Sequence, residues 1–462
     1  MSTVKTSSSP SIAVLGGGPA GAATAIGLAR MGYAVILFNT PRRFAAVEGV
    51  SDRVAQGLQQ AGLEQALATL APPSPRRVMW GGKESAVNTE RLIYRPDFDA
   101  ALLRDAASHG VEWRDAWVDG WKVEDSGRIA IDFQTTDEAA ARLFVDFVVE
   151  ARGRAAPLSA NRVRGVETVS LLQYWHPTTP GEEKAHSAVQ SFAAGWAWLA
   201  MGTDGRRYLQ LTLDVATANL PEKARLGDFC REHLARLELA HAFTAGAEPE
   251  GELHARACTP ILASGITDQH CIRVGDAAAA GDPLSGNGIF LALSSALQAP
   301  AVIHTLLQHP ERGVLARDFH FQRLTGLFYR FARIGRDFYA KEDQWPNAPF
   351  WQTRRAWPDA EPLHRALTPE SVHLARRPVL SHGEIIEAEV VVTPDNPLGI
   401  WLLDGIELAP ALALVRAVKT AKAARQALAA YLGEPENEVP RNAERLLAWF
   451  EEQGWIDFGN AS

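Results

Sequence analysis

The sequence predicts an α/β fold with an inserted β-sheet domain and a small separate C-terminal domain, and three observations carry that prediction. The first is Ser11-Ile12-Ala13-Val14-Leu15-Gly16-Gly17-Gly18-Pro19-Ala20-Gly21, an apolar strand that breaks into a glycine turn and opens an Ala-rich helix. A second strand, Ala34-Val35-Ile36-Leu37-Phe38, follows it. The second observation is a return of the strand-to-glycine pattern far downstream, at Val274-Gly275-Asp276 and again at Gly286-Asn287-Gly288. The third is the β-rich texture between them, where Tyr208-Leu209-Gln210-Leu211-Thr212-Leu213 alternates between an apolar and a partly polar face.

In the first stretch, Gly16 makes the tight turn and Gly18 clears a side chain from the path of a pyrophosphate. Gly21 lets the helix pack closely on the sheet. Pro19 and Ala20 open that helix, whose free N–H groups and positive dipole end face the phosphates. At the end of the second strand a dinucleotide fold places a carboxylate on the ribose. Here the position is Asn39, which accepts a hydrogen bond without adding charge. Arg42 and Arg43 follow, against adenine or phosphate; an arginine here also signals a 2′-phosphate and hence NADP.

The downstream stretch decides between ligands. Asp276 ends a strand and is placed to accept from a ribityl hydroxyl. Pro283 fixes a turn, and Gly286, Asn287 and Gly288 open the helix 289–298 with bare backbone. N–H groups there would face a flavin's pyrimidine edge and stabilise charge on the reduced ring. Two anchors so far apart need one extended ligand, which is FAD rather than NAD.

The remaining elements follow in chain order. Residues 51–67 have helical periodicity, and Ala71-Pro72-Pro73-Ser74-Pro75 is a stiff turn. Val78-Met79-Trp80-Gly81-Gly82 is a strand into a turn. Tyr94-Arg95-Pro96-Asp97-Phe98 leads into a helix whose first turn Asp97 or Asp99 can serve. Strands are expected at 113–121, 129–133 and 143–149, then at 169–175, 187–201 and 207–215, with a helix over 227–237. The boundaries expected are 11–165 with 265–335 for the nucleotide domain, 166–264 for the β-rich substrate domain, and 336–377 for a linker with helices. Trp345, Trp351 and Trp357 belong to this linker, which lies on the main body.

Residues 378–462 form the separate C-terminal domain. Pro410 starts a helix that Gly433 ends, 441–453 is another helix, and Trp455-Ile456-Asp457-Phe458 is a terminal strand, an order that resembles a winged helix. Arg416, Lys419, Lys422 and Arg425 make a basic stripe, either a solvated face or a docking surface for a protein or peptide.

Composition limits the function. The 462 residues carry a net charge of −8, which argues against general nucleic-acid binding. Cys230, Cys258 and Cys271 are odd in number and lack metal spacing, so a reducing compartment is expected, with no disulfide framework and no metal. The first ten residues read as a tail. The apolar run 12–28 is interrupted by Gly16-Gly17-Gly18-Pro19, so neither a signal nor a membrane span is expected. The expectation is a soluble cytoplasmic protein without membrane or nucleic-acid partners.

Gly16 to Gly21, Arg95 to Leu103, Asp146 to Arg154 and Gly275 to Ala292 together resemble the single-component flavoprotein monooxygenase superfamily, over roughly residues 11–335. The resemblance implies a Rossmann-like FAD domain of the glutathione-reductase type, with Arg95 among the cofactor contacts. Gly195-Trp196-Ala197-Trp198 and Asp282-Pro283-Leu284 are similar to flavin-dependent halogenases within it. Halogenases carry W-x-W-x-I-P, where this chain ends the pattern in Ala200-Met201. They also carry an essential lysine, placed in phenol-type enzymes seven residues before a W-G pair. Counting back from Trp80-Gly81 gives Pro73, and Lys83 lies on the other side of the pair, so oxygen insertion is expected over halogenation.

Trp196 and Trp198 face one side of a strand, either as core or as a wall keeping water from the flavin. With Pro283 they are the cavity candidates. No general base is identified; Asp282, His176 and Glu48 are candidates.

The chain is also similar to the flavoprotein monooxygenases that hydroxylate a tryptophan in the small subunit of quinohemoprotein amine dehydrogenase, the start of cysteine tryptophylquinone formation. That resemblance implies a peptidyl tryptophan substrate, a protein partner and O₂. It also implies NAD(P)H or a flavin reductase as electron source, and a flavin C4a-hydroperoxide. Two alternatives stand beside it: a hydroxylase or halogenase of a small aromatic or indole molecule, and a flavin reductase-like protein without oxygen chemistry.

Overall fold

Ile12 to Leu15 are completely buried, because the strand Ser11–Leu15 is covered on both faces and so shows no alternation. It pairs in parallel with Ala34–Asn39 on one side and Phe147–Glu150 on the other. Cys271–Arg273 and Glu112–Val123 extend the parallel sheet at its two edges. Glu112–Val123 then continues into an antiparallel meander with Ile129–Thr135 and Ala141–Val145. The helix Pro19–Arg30 begins with proline at its first position, where no N–H is needed, and buries most of its small residues. It packs against the helix Gly288–Ala296, so the two glycine turns, remote in sequence, lie side by side.

This computed structural model describes residues 9–135, 140–157, 159, 161–179, 183–435 and 441–458. All but the last two residues of the expected N-terminal tail lie outside them.

The second sheet has eight strands. Five come from the expected region: Ala247–Ala257, Thr168–Pro177, Arg207–Asp214, Gly195–Met201 and His186–Phe192. Three do not. Ser74–Trp80, Lys83–Tyr94 and Val47–Val50 complete the sheet, so the boundary at 166 does not hold for it. The join is the parallel pairing of Ser74–Trp80 with His186–Phe192, a contact between distant segments that no local pattern reveals. The β-rich segment expected over 187–201 forms a hairpin, turned at Ala193 and Ala194.

Alternation divides the faces of this sheet. Ala197, Leu199, Met201, Leu209 and Leu211 pack with residues of the helices Leu226–Leu234 and Glu238–Thr244. Trp196, Trp198, Ala200 and Tyr208 face the other way, into an aromatic cluster.

Residues 336–360 are not a linker. Trp351 has no exposed surface, its indole N–H donates to the Phe192 carbonyl at 3.1 Å, and Tyr339 and Phe350 are buried beside it. The Trp-rich composition here marks core, since large aromatic rings bury the most apolar area per residue.

The described residues divide into two compact units, one running to Ile303 together with Leu324–Ala360, the other His304–Arg323 together with Glu361 onward. The second unit carries a three-stranded antiparallel sheet of His373–Ser381, Glu384–Thr393 and Asn396–Ile400, then three helices. The helix expected from Pro410 to Gly433 is two, Leu408–Arg416 and Ala421–Tyr431. Thr420 starts the second by accepting from the Ala423 N–H at 3.2 Å. The third, Arg441–Glu452, is followed by an irregular segment and not by the expected strand. Trp455 is stacked on Phe450, 5.5 Å between ring centres, and this packing replaces strand pairing. The helix–helix–strand order that suggested a winged helix is therefore absent among the described residues. The basic stripe is also broken. Arg416 donates to the carbonyls of Val372, Pro369 and Trp455, and Arg425 pairs with Glu444 at 3.2 Å.

Candidate active site

The first turn is held by backbone. Gly16 has φ +115°, which favours glycine, and its N–H donates to the Phe38 carbonyl at 2.8 Å. A Cβ on Gly16 would overlap the Ala151 carbonyl, and one on Gly21 would overlap the carbonyl of Gly16 itself. Gly21 thus seats the helix on its own turn, a closer constraint than the expected packing on the sheet. Gly18 differs: nothing stands within 4 Å of a Cβ placed there, so the helix N-terminus at Pro19 and Ala20 presents an open face. Asn39 reaches back over the turn; a Cβ on Gly17 would come 2.6 Å from its Oδ1. That is where a ribose ligand would be needed.

Arg95, the first residue of the helix Arg95–Ser108, is 3 % exposed. Its Nη1 donates to Glu48 at 2.8 Å, and its Nε and Nη2 donate to Asp99 at 3.1 and 2.6 Å. Three of its five N–H groups are spent on carboxylates, so its first task is bracing the site. Arg42 joins the same cluster through Asp99 at 2.6 Å, and Arg43 is exposed on the same loop.

Burial raises the Glu48 pKa, but Arg95 and Arg42 outweigh it, and the net shift is downward. Glu48 is therefore a counter-ion and a poor general base. A lowered folded-state pKa contributes stability above the ordinary value of 4.5, and that stability is lost as pH falls through the lowered value. Glu48→Gln is expected to flatten that limb of an acid-unfolding curve followed by circular dichroism.

The second turn touches the first. Gly275 has φ +58°, its N–H donates to Ser295 Oγ at 2.8 Å, and a Cβ on it would come 2.8 Å from that of Ala20. Asp276 follows, 3.6 Å from Arg154, and burial raises its pKa despite that cation. Its carboxyl also feels Glu48, Arg42 and Arg95, so that charge cluster lies near enough to act on Asp276.

Asp282 then caps a short turn, Pro283–Ser285, its Oδ1 accepting from the Leu284 N–H at 2.9 Å. Gly286 follows with φ +60°, and neither Gly286 nor Gly288 has any atom within 4 Å of a Cβ. Asn287 turns its carboxamide onto the Ser285 carbonyl. The result is an open, bare-backbone entrance to the helix Gly288–Ala296, matching the open face at Gly18. These two cradles fit an extended dinucleotide: Gly18, Pro19 and Ala20 would hold the pyrophosphate, Asn39 the ribose, Asp276 the ribityl chain, and Gly286 to Gly288 the flavin ring.

Leu284, beside Pro283, packs against the aromatic cluster of Trp80, Trp196, Trp198, Tyr174 and Tyr208. Trp196 donates to Tyr339 Oη at 3.3 Å, and Tyr339 donates to Asp282 Oδ1 at 3.0 Å. Trp198 donates to Glu90 at 3.2 Å, which also accepts from the Ser187 hydroxyl. Asp282, Tyr339, Arg336 and Arg354 line a small cavity. Burial raises the Asp282 pKa, offset in part by the Leu284 N–H, Arg354, Tyr339 and Arg154. His176 is exposed at the end of its strand, away from these groups. Sequence reasoning missed Tyr339 and Glu90: neither sits in a motif, and Tyr339 fell in the segment read as a linker. Every lysine among the described residues is exposed, Lys83 at the hairpin turn after Trp80 included.

The two backbone bends adjoin, and the aromatic cluster approaches the second of them through Leu284. A chain so built is an FAD-dependent monooxygenase of the fold shared with flavin-dependent halogenases. No family model matches it. Among solved structures it is similar to the peptidyl tryptophan dihydroxylase QhpG, described as essential for tryptophylquinone cofactor biogenesis: 49% identical, covering 97% of this chain and 100% of that one, with a TM-score of 0.83. The chain belongs to the QhpG family. The flavin-dependent halogenase CmlS shares the fold at 17% identity, covering 97% of this chain and 95% of its own, with a TM-score of 0.76. Tryptophan 2-halogenase of Chondromyces crocatus is 26% identical over 359 residues, 72% of this chain and 68% of that protein.

Proposed function

We propose that this protein hydroxylates the indole of a tryptophan within a partner polypeptide, as a step in tryptophylquinone cofactor biogenesis, with the small subunit of an amine dehydrogenase as substrate. The observation that carries this is the 49% identity to QhpG across nearly all of both chains. The exposure of every described lysine supports oxygen insertion over halogenation, since no interior lysine amine among the described residues stands ready to capture hypohalous acid.

FAD, when bound and reduced, supplies the activation of O₂ that the side chains cannot; NAD(P)H or a separate reductase supplies the electrons. The chain's own contribution is position and dryness. The N-terminus of the helix that begins at Gly288 would supply backbone N–H groups to charge on the ring, whereas the Gly286 N–H is bound to the Pro283 carbonyl and the Asn287 N–H to Ser285 Oγ. Trp196 and Trp198, buried in the aromatic cluster, keep water from the reacting centre. Of the three candidate bases, Asp282 is the one beside the flavin-edge turn, so it is assigned the proton that the indole releases.

The test uses the FAD-loaded full chain in air with NAD(P)H, with and without a flavin reductase. Its substrates are a recombinant amine dehydrogenase small subunit and free tryptophan. Mass spectrometry is expected to find one or two added oxygen atoms on a tryptophan of the polypeptide and none on free tryptophan. Turnover confined to small indoles, or a product that requires halide, would overturn the reading.

A further inference from the structure

Tyr339 sits between the aromatic cluster and the turn that Asp282 caps. Its ring packs edge-on to Phe350 and Trp351, 5.9 Å from each, and is fully enclosed. Its hydroxyl has two partners, and the chemistry of those partners sets the direction of both bonds. An indole N–H is a donor only, so Tyr339 Oη must accept from Trp196. The hydroxyl's one proton is then left for the Asp282 carboxylate. Asp282 Oδ1 receives it together with the Leu284 N–H, the bond that closes the turn leading to Gly286. A directed chain thus runs from the aromatic face of the sheet to the base of the flavin-edge turn.

We propose that Tyr339 is a positioning residue of the flavin site, holding the Asp282 carboxylate and its turn in place and tying them to Trp196. Asp282 carries a negative charge beside the backbone that faces the flavin ring. Arg154 and Arg354 are the cations that act on it, and Arg336 lines the same cavity. The Tyr339 hydroxyl is the neutral donor that keeps this charge compensated and fixed. Reduced flavin near neutral pH is itself anionic, so compensation at Asp282 favours the reduced state. The inference rests on the flavin site and not on the identity of the substrate, so a failed substrate assay leaves it standing.

A redox titration of the FAD-loaded full chain, run at alkaline pH because burial raises the Asp282 pKa, tests it without turnover. Tyr339→Phe keeps the ring and deletes the hydroxyl. It is expected to lower the flavin midpoint potential by about 30 mV, equivalent to a tenfold change in the relative affinity for oxidised and reduced flavin. Asp282→Asn removes the charge and is expected to raise the potential. Trp196→Phe leaves the Tyr339–Asp282 bond in place and is expected to shift the potential less than Tyr339→Phe. Opposite signs for the Tyr339 and Asp282 variants could not come from simple loosening, which would move both the same way. Unchanged potentials in both, with only a lower melting temperature, would overturn the proposal, as would shifts of the same sign.

Discussion

Gly21→Ala is expected to purify without flavin. The added Cβ would overlap the carbonyl oxygen of Gly16. A Cβ is fixed by its own backbone and the atom it meets is backbone, so no rotamer change relieves the clash. Nor can Gly16 retreat, because the Ala151 carbonyl lies against its other side. The helix must shift off its turn, at an overpacking cost of about 1–3 kcal/mol, and its N-terminal N–H groups move with it. Losing two charge-assisted hydrogen bonds to phosphate, each about 1.5–3 kcal/mol, corresponds to at least a hundredfold weaker FAD binding. Gly18→Ala is the informative partner. Its Cβ meets no protein atom within 4 Å, so stability is expected to be unchanged while FAD affinity falls, because the methyl enters space that the pyrophosphate needs. Flavin fluorescence quenching and thermal melting, read on both variants, check this. Wild-type affinity in Gly18→Ala would show that the open face is not where the phosphates bind.

Arg354→Met is expected to cause the largest loss of stability outside the glycine turns. Arg354 lies on the short helix Pro349–Ala356, buried with its partner Asp214, 3.0 Å away. It also donates to Thr168 Oγ1 at 2.7 Å and to the Phe350 carbonyl at 3.2 Å, and stacks over the Phe350 ring. The arginine therefore bolts the helix carrying Phe350 and Trp351 to the ends of two strands of the large sheet. Breaking a buried pair by removing one member typically costs about 3–5 kcal/mol, because the remaining charge is stranded. Asp214 would keep the N–H groups of Ala216 and Thr217, which places the expected loss near the lower end. Adding Asp214→Asn to Arg354→Met is expected to recover part of it. Urea denaturation followed by tryptophan fluorescence gives both numbers. An unchanged midpoint in the single variant would mean that the pair does not hold the helix.

The legible parts of this protein are those where chemistry and chain proximity coincide. The strand, glycine turn and helix at 11–30 are one continuous segment, and their requirements of bare backbone, φ > 0 and a free helix end are written in consecutive residues. The same holds for Asp276 and for the run from Asp282 to Gly288. The linker reading of 336–360 failed because composition does not distinguish an aromatic segment lying on a surface from one inserted into a core. The terminal strand at 455–458 failed because a short apolar run pairs as a strand only when a partner edge is available, and here Trp455 found Phe450 instead.

Local sequence thus specified that two backbone cradles exist and which ligand class each suits, since a turn's conformation depends on its own few residues. Folding decided that the cradles adjoin, that strands from 47–94 complete the second sheet, and that Tyr339 and Glu90 stand among the tryptophans. Those outcomes rest on pairings between residues a hundred or more positions apart, such as Trp198 with Glu90 and Trp196 with Tyr339. No stretch of chain carries a signal for such a partner, because the partner comes within hydrogen-bonding distance only when the whole core closes.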